Sequence, residues 1–330
     1  MTSLIFFKLL ALFSIVALGW VAGKLRWLGP TTKESDPART LSNAAFFIFV
    51  PALLFRTTAR IDFRTLPWGT LAAFFVPVML LMVAVYAWQR RANRNGALAT
   101  PAPAVRAITT SFGNTVQVGI PIAAALFGEA GLSIHIAVMS LHALALLSVL
   151  TVLVELDLAR ERHGDGESRA SLAATLRTTA RNTLIHPVVL PILAGLVWNV
   201  VAPPLPTLID ELLLTLAQAV VPMCLVLIGM SLAYYGVRGA ARGALLLAGV
   251  KLLVLPALVL VVAHWGFGLT GLPLAVVVMM GALPAGSNAL MFSQRYQTLE
   301  AETTAAIVFS TLGFVLTAPI WLALLARFFS

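Results

Sequence analysis

Charged residues are scarce in this sequence: they make up 11% of it, whereas soluble domains carry about 25%. Hydrophobic residues make up 60%, and the mean hydropathy is +0.95. These values exclude an ordinary soluble domain. We therefore predict an all-α integral membrane protein, because a helix satisfies its own backbone polar groups inside a bilayer.

Cysteine and catalytic signatures are also lacking. The single cysteine, Cys224, excludes an internal disulfide, and its apolar surroundings predict a buried thiol rather than a reactive one. The sequence contains no His-Glu-x-x-His, no Gly-x-Ser-x-Gly and no phosphate-binding loop. We therefore predict that the protein is not an enzyme and that it holds no metal or cofactor.

Long apolar runs dominate what is present, and ten of them approach the ~20 residues that span a bilayer. They cover approximately residues 4–22, 38–56, 67–89, 105–127, 131–155, 183–201, 208–232, 243–265, 272–295 and 303–328. No cleavage signature follows the first run, so we predict that it is retained as a helix.

Basic residues are distributed unevenly between the loops that join these segments. Sixteen of them lie in or beside the odd-numbered loops, and four lie on the other side. Cytoplasmic loops are enriched in lysine and arginine, so both termini should lie on the non-cytoplasmic side of the inner membrane. Topology thus explains the net charge of +9, and we predict no nucleic-acid partner.

The chain divides into two halves of five segments each. Residues 1–155 form the first half, residues 156–182 a cytoplasmic linker, and residues 183–330 the second half. Because five is odd, the second half enters the membrane from the opposite side. Prolines at matching places, Pro51 and Pro222, support an inverted repeat.

Segments 4 and 9 are each interrupted in the middle by helix breakers and polar side chains. Lipid offers no partner to a freed backbone group, so such a break must face protein or water. The amides could simply join helices, but the neighbouring glycine and proline favour a substrate or ion site. The predicted substrate-binding residues are Asn114, Gln117, Gly119, Pro121, Pro284, Gly286, Ser287 and Asn288.

The chemistry of such a site favours a small organic anion, a carboxylate. Two half-helix N-termini present N–H groups and positive partial charge to it. The freed carbonyls could instead hold Na⁺. The carboxylates of the sequence fall in loops or at segment ends, which excludes a mid-membrane Asp or Glu proton relay and leaves Na⁺ or H⁺ coupling open.

Two ionisable residues inside segments are candidates for charge or coupling roles. Lys251 lies within segment 8, and its alternative is a side chain that snorkels to the interface. His142 lies within segment 5, and its alternative is a hydrogen-bonded core histidine.

The motifs around the two breaks resemble those of the auxin efflux carrier family, which includes plant auxin exporters and bacterial malonate and malate permeases. Residues 114–121 are similar to its Asn-Thr-x-x-x-Gly-x-Pro signature, and residues 282–289 to its helix 9 signature. Further similarities lie at residues 49–55, 186–187, 195, 227–232, 251 and 256. The resemblance runs from segment 1 to segment 10.

This resemblance implies ten transmembrane helices in two inverted five-helix repeats. It further implies a scaffold of helices 1, 2, 6 and 7 and a mobile transport domain of helices 3–5 and 8–10, in which the broken helices 4 and 9 cross. The short linker favours a bacterial-type carrier.

The resulting prediction is a secondary transporter of a small organic anion that works by an elevator motion. The main alternative is a membrane receptor or scaffold that binds the ligand without moving it, and a third class is an intramembrane enzyme acting on lipid. We also predict a homodimer in the lipid bilayer.

Overall fold

The computed structural model describes residues 2–29, 36–60, 66–163, 185, 187, 189–201, 205–235 and 240–328. Within these ranges the protein is helical and forms no strand. The helices are α1 (Thr2–Lys24), α2 (Pro37–Ala59), α3 (Trp68–Ala92), α4 (Ala102–Ser111), α5 (Ile120–His163), α6 (Val189–Val201), α7 (Thr207–Tyr235), α8 (Ala241–Gly266), α9 (Gly271–Ala282), α10 (Asn288–Arg295) and α11 (Glu300–Leu325). α5 is kinked at Gly128, whose backbone is not helical (φ 62°, ψ −162°), so it consists of two helical parts.

Six helical runs in the described ranges are long and apolar enough to cross a membrane. These runs are Pro37–Ala59, Trp68–Ala92, Ile122–Leu158, Thr207–Tyr234, Ala241–Gly266 and Glu300–Leu325. Shorter apolar helices lie at Ser14–Lys24, Val189–Val201 and Gly271–Ala282. The prediction of an all-α membrane protein is confirmed.

Two of these helices contain a wide π-turn just before a proline. In α2 the turn spans Ala45–Phe49 and precedes Pro51, and in α8 it spans Val250–Val254 and precedes Pro256. Proline lacks an N–H and clashes with the carbonyl four residues earlier, which widens the helix locally. In α8 that carbonyl, Leu252 O, accepts a hydrogen bond from the indole Nε1 of Trp321 at 2.9 Å.

A first bundle consists of α1, α2, α6 and α7. α1 packs along α7, and α2 packs against α6 and α7. Glycines allow these contacts: a Cβ added to Gly19 would lie 2.2 Å from Val226 O, and one added to Gly195 would lie 1.9 Å from Thr58 Oγ1. Gly23, four residues after Gly19, packs against α7 as well, since a Cβ added to it would lie 2.7 Å from Cβ of Ala233.

A second bundle consists of α3, α4, α5 and α8–α11. Arg106 on α4 donates two hydrogen bonds to Glu302 on α11, from Nε to Oε1 at 2.7 Å and from Nη2 to Oε2 at 3.0 Å. A third, from Nη1 to Gln89 Oε1 at 2.8 Å, adds α3. One guanidinium thus ties three helices of this bundle together.

The predicted end of segment 5 at residue 155 is wrong, because α5 continues to His163. Asp157, predicted to lie in a loop, is buried inside the helix. It accepts a hydrogen bond from the hydroxyl of Tyr86 and forms ion pairs with Arg90 and Arg160, each at 3.0 Å. The neutralised carboxylate does not end the helix. Residues 164–182 of the predicted linker lie outside the described residues.

Candidate binding site at the helix crossing

The two predicted breaks meet and pair with each other through their backbones. The first break, residues 112–114, lies between α4 and a π-turn at Thr115–Gly119, and the second, residues 283–287, lies between α9 and α10. Asn114 N donates to Pro284 O at 2.8 Å, and Gly286 N donates to Phe112 O at 2.9 Å. Backbone groups that leave the helices are thereby satisfied at the crossing.

Glycine is needed at one point of this pairing. A Cβ on Gly286 would lie 2.9 Å from Gly113 O and 2.9 Å from Phe112 Cδ1, closer than real Cβ contacts allow. Gly113 has no such restriction, since the nearest atom to an added Cβ would be 3.5 Å away. The two breaks therefore differ in how tightly they pack at the crossing.

Four helix ends converge on the crossing. The π-turn and α10 begin there, so their N-terminal ends bring positive partial charge to it. α4 and α9 end there and bring carbonyl groups. Positive ends beside an open space make a site suited to an anion.

Two of the carbonyls at these ends already have side-chain donors. The Nζ of Lys251, which is fully buried, donates to Gly281 O at 2.7 Å near the end of α9. His135 on α5 donates from Nε2 to Thr115 O at 2.8 Å. The alternative of a snorkelling Lys251 is wrong, because its ammonium is held inside the bundle.

A cavity of about 680 Å³ lies between the crossing and the first bundle. Asn114, Gly286, Ser287 and Asn288 line it at the crossing. Facing them are residues of α2 and α7, among them Leu54 and Val220, while α5 contributes Ser133, Ser140 and His142. The cavity extends to Arg60, Leu66 and Pro67, where α2 ends and α3 begins.

His142 is the most unusual side chain in the wall of the cavity. It is 1% exposed, and neither ring nitrogen has a hydrogen-bond partner among the residues that the structure describes. Its ring centroid lies 4.4 Å from that of Phe112 and 5.9 Å from that of Phe74. The structure buries His142 in the core, as the alternative expects, and shows no hydrogen bond to it from the described protein groups.

An arginine cluster lies at the mouth of the cavity. Arg56 on α2 donates to Asp210 on α7 from Nε at 2.8 Å and from Nη2 at 3.1 Å, and Arg60 pairs with the same carboxylate. Two guanidinium groups share one carboxylate, so the cluster keeps one positive charge in excess. Such a charge at a cavity mouth raises the local concentration of anions.

The amino-acid sequence is similar to those of proteins described as transporters. A family model described as membrane transport protein matches residues 4–322. The chain belongs to this family. The transporter YfdV of Escherichia coli K12, described as uncharacterized, is 24% identical over 319 residues, which is 95% of each chain. An uncharacterized transporter of Methanothermobacter thermautotrophicus is 22% identical over 320 residues, 94% of this chain and 95% of the relative. The resemblance to auxin efflux carriers is confirmed.

In this membrane transport protein the crossing brings together part of the predicted site. Asn114, Gly286, Ser287 and Asn288 line the cavity, whereas Pro284 is buried in the backbone pairing and Lys251 is not among the lining residues. Gly119 lies elsewhere, where an added Cβ would be 2.6 Å from Cε1 of His135. The side chains of Gln117 and Pro121 lie outside the described residues.

Sequence reasoning missed three side chains of this membrane transport protein that shape the site. His135 lies seven residues before His142, a spacing that places both on one helical face and could have identified it. Arg56 and Arg60 are four residues apart, which also places them on one face, on the side that is poor in basic residues.

Proposed function

We propose that this membrane transport protein is a secondary transporter that carries a small organic carboxylate across the cytoplasmic membrane. The observation that supports this is the pairing of two broken helices beside a cavity. Asn114, Ser287 and Asn288 line that cavity next to the N-terminal ends of the π-turn and α10. Amide and backbone N–H groups bind a carboxylate without a fixed positive side chain in contact with it.

The charge distribution around the cavity favours an anion over a cation. No Asp or Glu is found among the residues that line it in the described part of the chain. Arg56 and Arg60 line its mouth, and the buried ammonium of Lys251 lies behind the crossing. A cation would meet these charges without a carboxylate to balance its own.

We propose that ten transmembrane helices form two inverted repeats, with both termini outside the cytoplasm. Ion pairs support this topology because each one joins helix ends that the prediction places on the same side. Arg56–Asp210 would lie at the outer face, and Arg106–Glu302 and Arg90–Asp157 at the inner face. With this orientation the cavity opens away from the cytoplasm.

Movement of the second bundle against the first would carry the site across the membrane. One wall of the cavity belongs to α2 and α7 of the first bundle, and the opposite wall belongs to the crossing and α5 of the second. The backbone hydrogen bonds at the crossing lie entirely within the second bundle. An elevator motion can therefore change access to the cavity without breaking the pairing.

Uptake of labelled carboxylates into proteoliposomes, under imposed Na⁺ and pH gradients, tests the proposed activity. Asn114→Ala and Asn288→Ala each remove a hydrogen bond to a charged ligand, which costs about 1.5–3 kcal/mol, or roughly ten- to a hundred-fold in affinity. Asn95→Ala, the same change at an exposed position outside the cavity, is the control. Ligand binding without flux would instead identify a receptor, and unchanged binding by both cavity variants would refute the site.

Cysteine pairs test the elevator motion in a protein with Cys224 replaced by serine. Thr57 and Ser133 lie on opposite walls near the mouth of the cavity, so a cross-link between cysteines there should depend on transport state and stop flux. Ala244 on α8 and Ala305 on α11 pack in one small cluster within the second bundle. Cysteines at that pair should cross-link in every state and preserve flux. The reverse pattern would mean that the second bundle itself opens and closes.

A further inference from the structure

We propose that His142 contacts the transported anion directly, through a hydrogen bond to a second polar group of that molecule. The substrate class is then a carboxylate that also carries a hydroxyl group. This inference rests on the proposed transport of a carboxylate and adds a specificity-determining residue to it.

The unpaired imidazole is the observation that carries the inference. His142 is buried, lines the cavity, and has no hydrogen-bond partner for Nδ1 or Nε2 in the described part of the chain. An imidazole always carries at least one N–H, and its second nitrogen accepts a hydrogen bond when the ring is neutral. A buried polar group without a hydrogen-bond partner is rare in folded proteins. The ring therefore needs a partner that the described protein groups do not supply.

The surroundings of His142 leave the cavity as the source of that partner. Phe74 and Phe112 pack against the ring and offer it no acceptor in the plane of the nitrogens. The ionisable groups that act on it electrostatically are Lys251 and His135, whose own hydrogen bonds go to Gly281 O and Thr115 O. No carboxylate lines the described part of the cavity. The ring therefore has to pair with a molecule in the cavity, and the second polar group of a bound anion takes the place of water there.

The position of His142 separates it from the carboxylate site. Asn114, Ser287 and Asn288 reach the cavity from the two breaks, whereas His142 reaches it from α5. The helix ends and amides already supply several donors for one carboxylate. The histidine thus serves a different part of the ligand.

His135 provides an internal comparison on the same helix. It lies two turns before His142, and its Nε2 is satisfied by the carbonyl of Thr115. Thr115 O at the first break therefore accepts a hydrogen bond from one histidine of this helical face. The other histidine, His142, has no partner among the described residues. A purely structural role accounts for His135 and does not account for His142.

Matched ligands that differ by one hydroxyl group test the inference. The probes are propionate and lactate, butyrate and 3-hydroxybutyrate, and phenylacetate and mandelate. Each is used to compete with the uptake of a labelled carboxylate into proteoliposomes. Wild-type protein should prefer the hydroxylated member of at least one pair by about tenfold or more. His142→Phe should abolish this preference, because only the hydroxylated member loses a hydrogen bond. His142→Gln, which keeps a donor and an acceptor, should retain part of it.

His264→Phe is the matched control, because His264 lies on α8 and is not among the residues that line the cavity. If both His142 variants fail to fold, the ring nitrogen chemical shifts of histidine-labelled wild-type protein give the same comparison. The hydroxylated ligand should then shift the His142 resonance more than the plain one.

The outcomes separate this inference from the proposed function. Equal affinity of wild-type protein for both members of every pair would overturn the inference, and so would a preference that His142→Phe leaves intact. In either case carboxylate transport would stand. Failure of every probe to bind or to be transported would overturn the proposed function and the inference with it.

Discussion

The two breaks at the crossing share one backbone arrangement and differ in the side chains that support it. At the first break a histidine donates to Thr115 O, and at the second a lysine donates to Gly281 O. The second break has an additional support, a hydrogen bond from Ala285 N to Ser310 Oγ at 3.0 Å. A carbonyl near a break needs a hydrogen-bond donor, but that donor can be charged or neutral. The side chains that donate can therefore differ while the backbone pairing stays the same.

This difference indicates which substitution should disturb the crossing most. Of the two glycines, only Gly286 would clash with the opposite break if it carried a Cβ, since Gly113 has room for a side chain. The pairing is reciprocal in its hydrogen bonds and asymmetric in its packing. Substitutions at corresponding positions should therefore have unequal effects.

The largest effect is expected for Gly286→Ala. The new methyl group would meet Gly113 O and the Phe112 ring at 2.9 Å, and the two breaks would have to separate. Overpacking costs about 1–3 kcal/mol, and a lost buried hydrogen bond costs about 1–3 kcal/mol more. The melting temperature of the purified protein and its flux in proteoliposomes should both fall.

Gly113→Ala is the matched control, because it adds the same methyl group to the opposite break without a contact under 3.5 Å. It should melt near the wild-type temperature and retain flux. Equal losses in the two variants would show that the crossing is symmetric in packing as well.

A smaller effect is expected for Gly119→Ala, which acts on the support of the first break. Its methyl group would lie 2.6 Å from Cε1 of His135 and would push that ring away from Thr115 O. The expected cost is about 1–3 kcal/mol, measured as a lower melting temperature. The double variant Gly119→Ala with His135→Ala should lose less than the sum of the single losses, because the two residues are in contact. Simple additivity would contradict this account of Gly119.

The smallest effect is expected for removal of sodium. Gly281 O and Thr115 O, two carbonyls freed near the crossing, already accept hydrogen bonds from Lys251 and His135. These carbonyls are thus not open to a coupling cation. Replacing Na⁺ by choline on both sides of the proteoliposome should change flux by less than about twofold. A strict requirement for Na⁺ would place a cation site elsewhere in the protein.

The breaks could be located from sequence because their signals are local. Gly, Pro and Asn in the middle of an apolar run cannot continue a lipid-facing helix, so Asn114 and Asn288 stand out without any knowledge of the fold. The structure places both at the cavity. The positions of the apolar helices are local signals of the same kind, because they depend on composition over ~20 residues.

The supports and the arginine cluster could not be located in this way, because they depend on distant pairs. Arg56 and Asp210 are 154 positions apart, and Lys251 reaches a carbonyl 30 positions away on another helix. The end of α5 was misjudged for the same reason, since Asp157 accepts a hydrogen bond from Tyr86 and pairs with Arg90, both on α3. Only the folded chain brings these groups together.

The glycine contact between α1 and α7 has a consequence for the biogenesis of the protein. α1 leaves the ribosome well before α7, because Val226, the residue that Gly19 touches, is made roughly two hundred residues later. At a synthesis rate of about 5–20 residues per second, α1 spends about 10–40 s in the membrane before α7 is inserted. Gly19 and Gly23, which meet α7, carry no polar side chain that would be exposed to lipid during that wait. A polar substitution at Gly19 or Gly23 should therefore reduce the yield of inserted protein before it alters any property of the finished carrier.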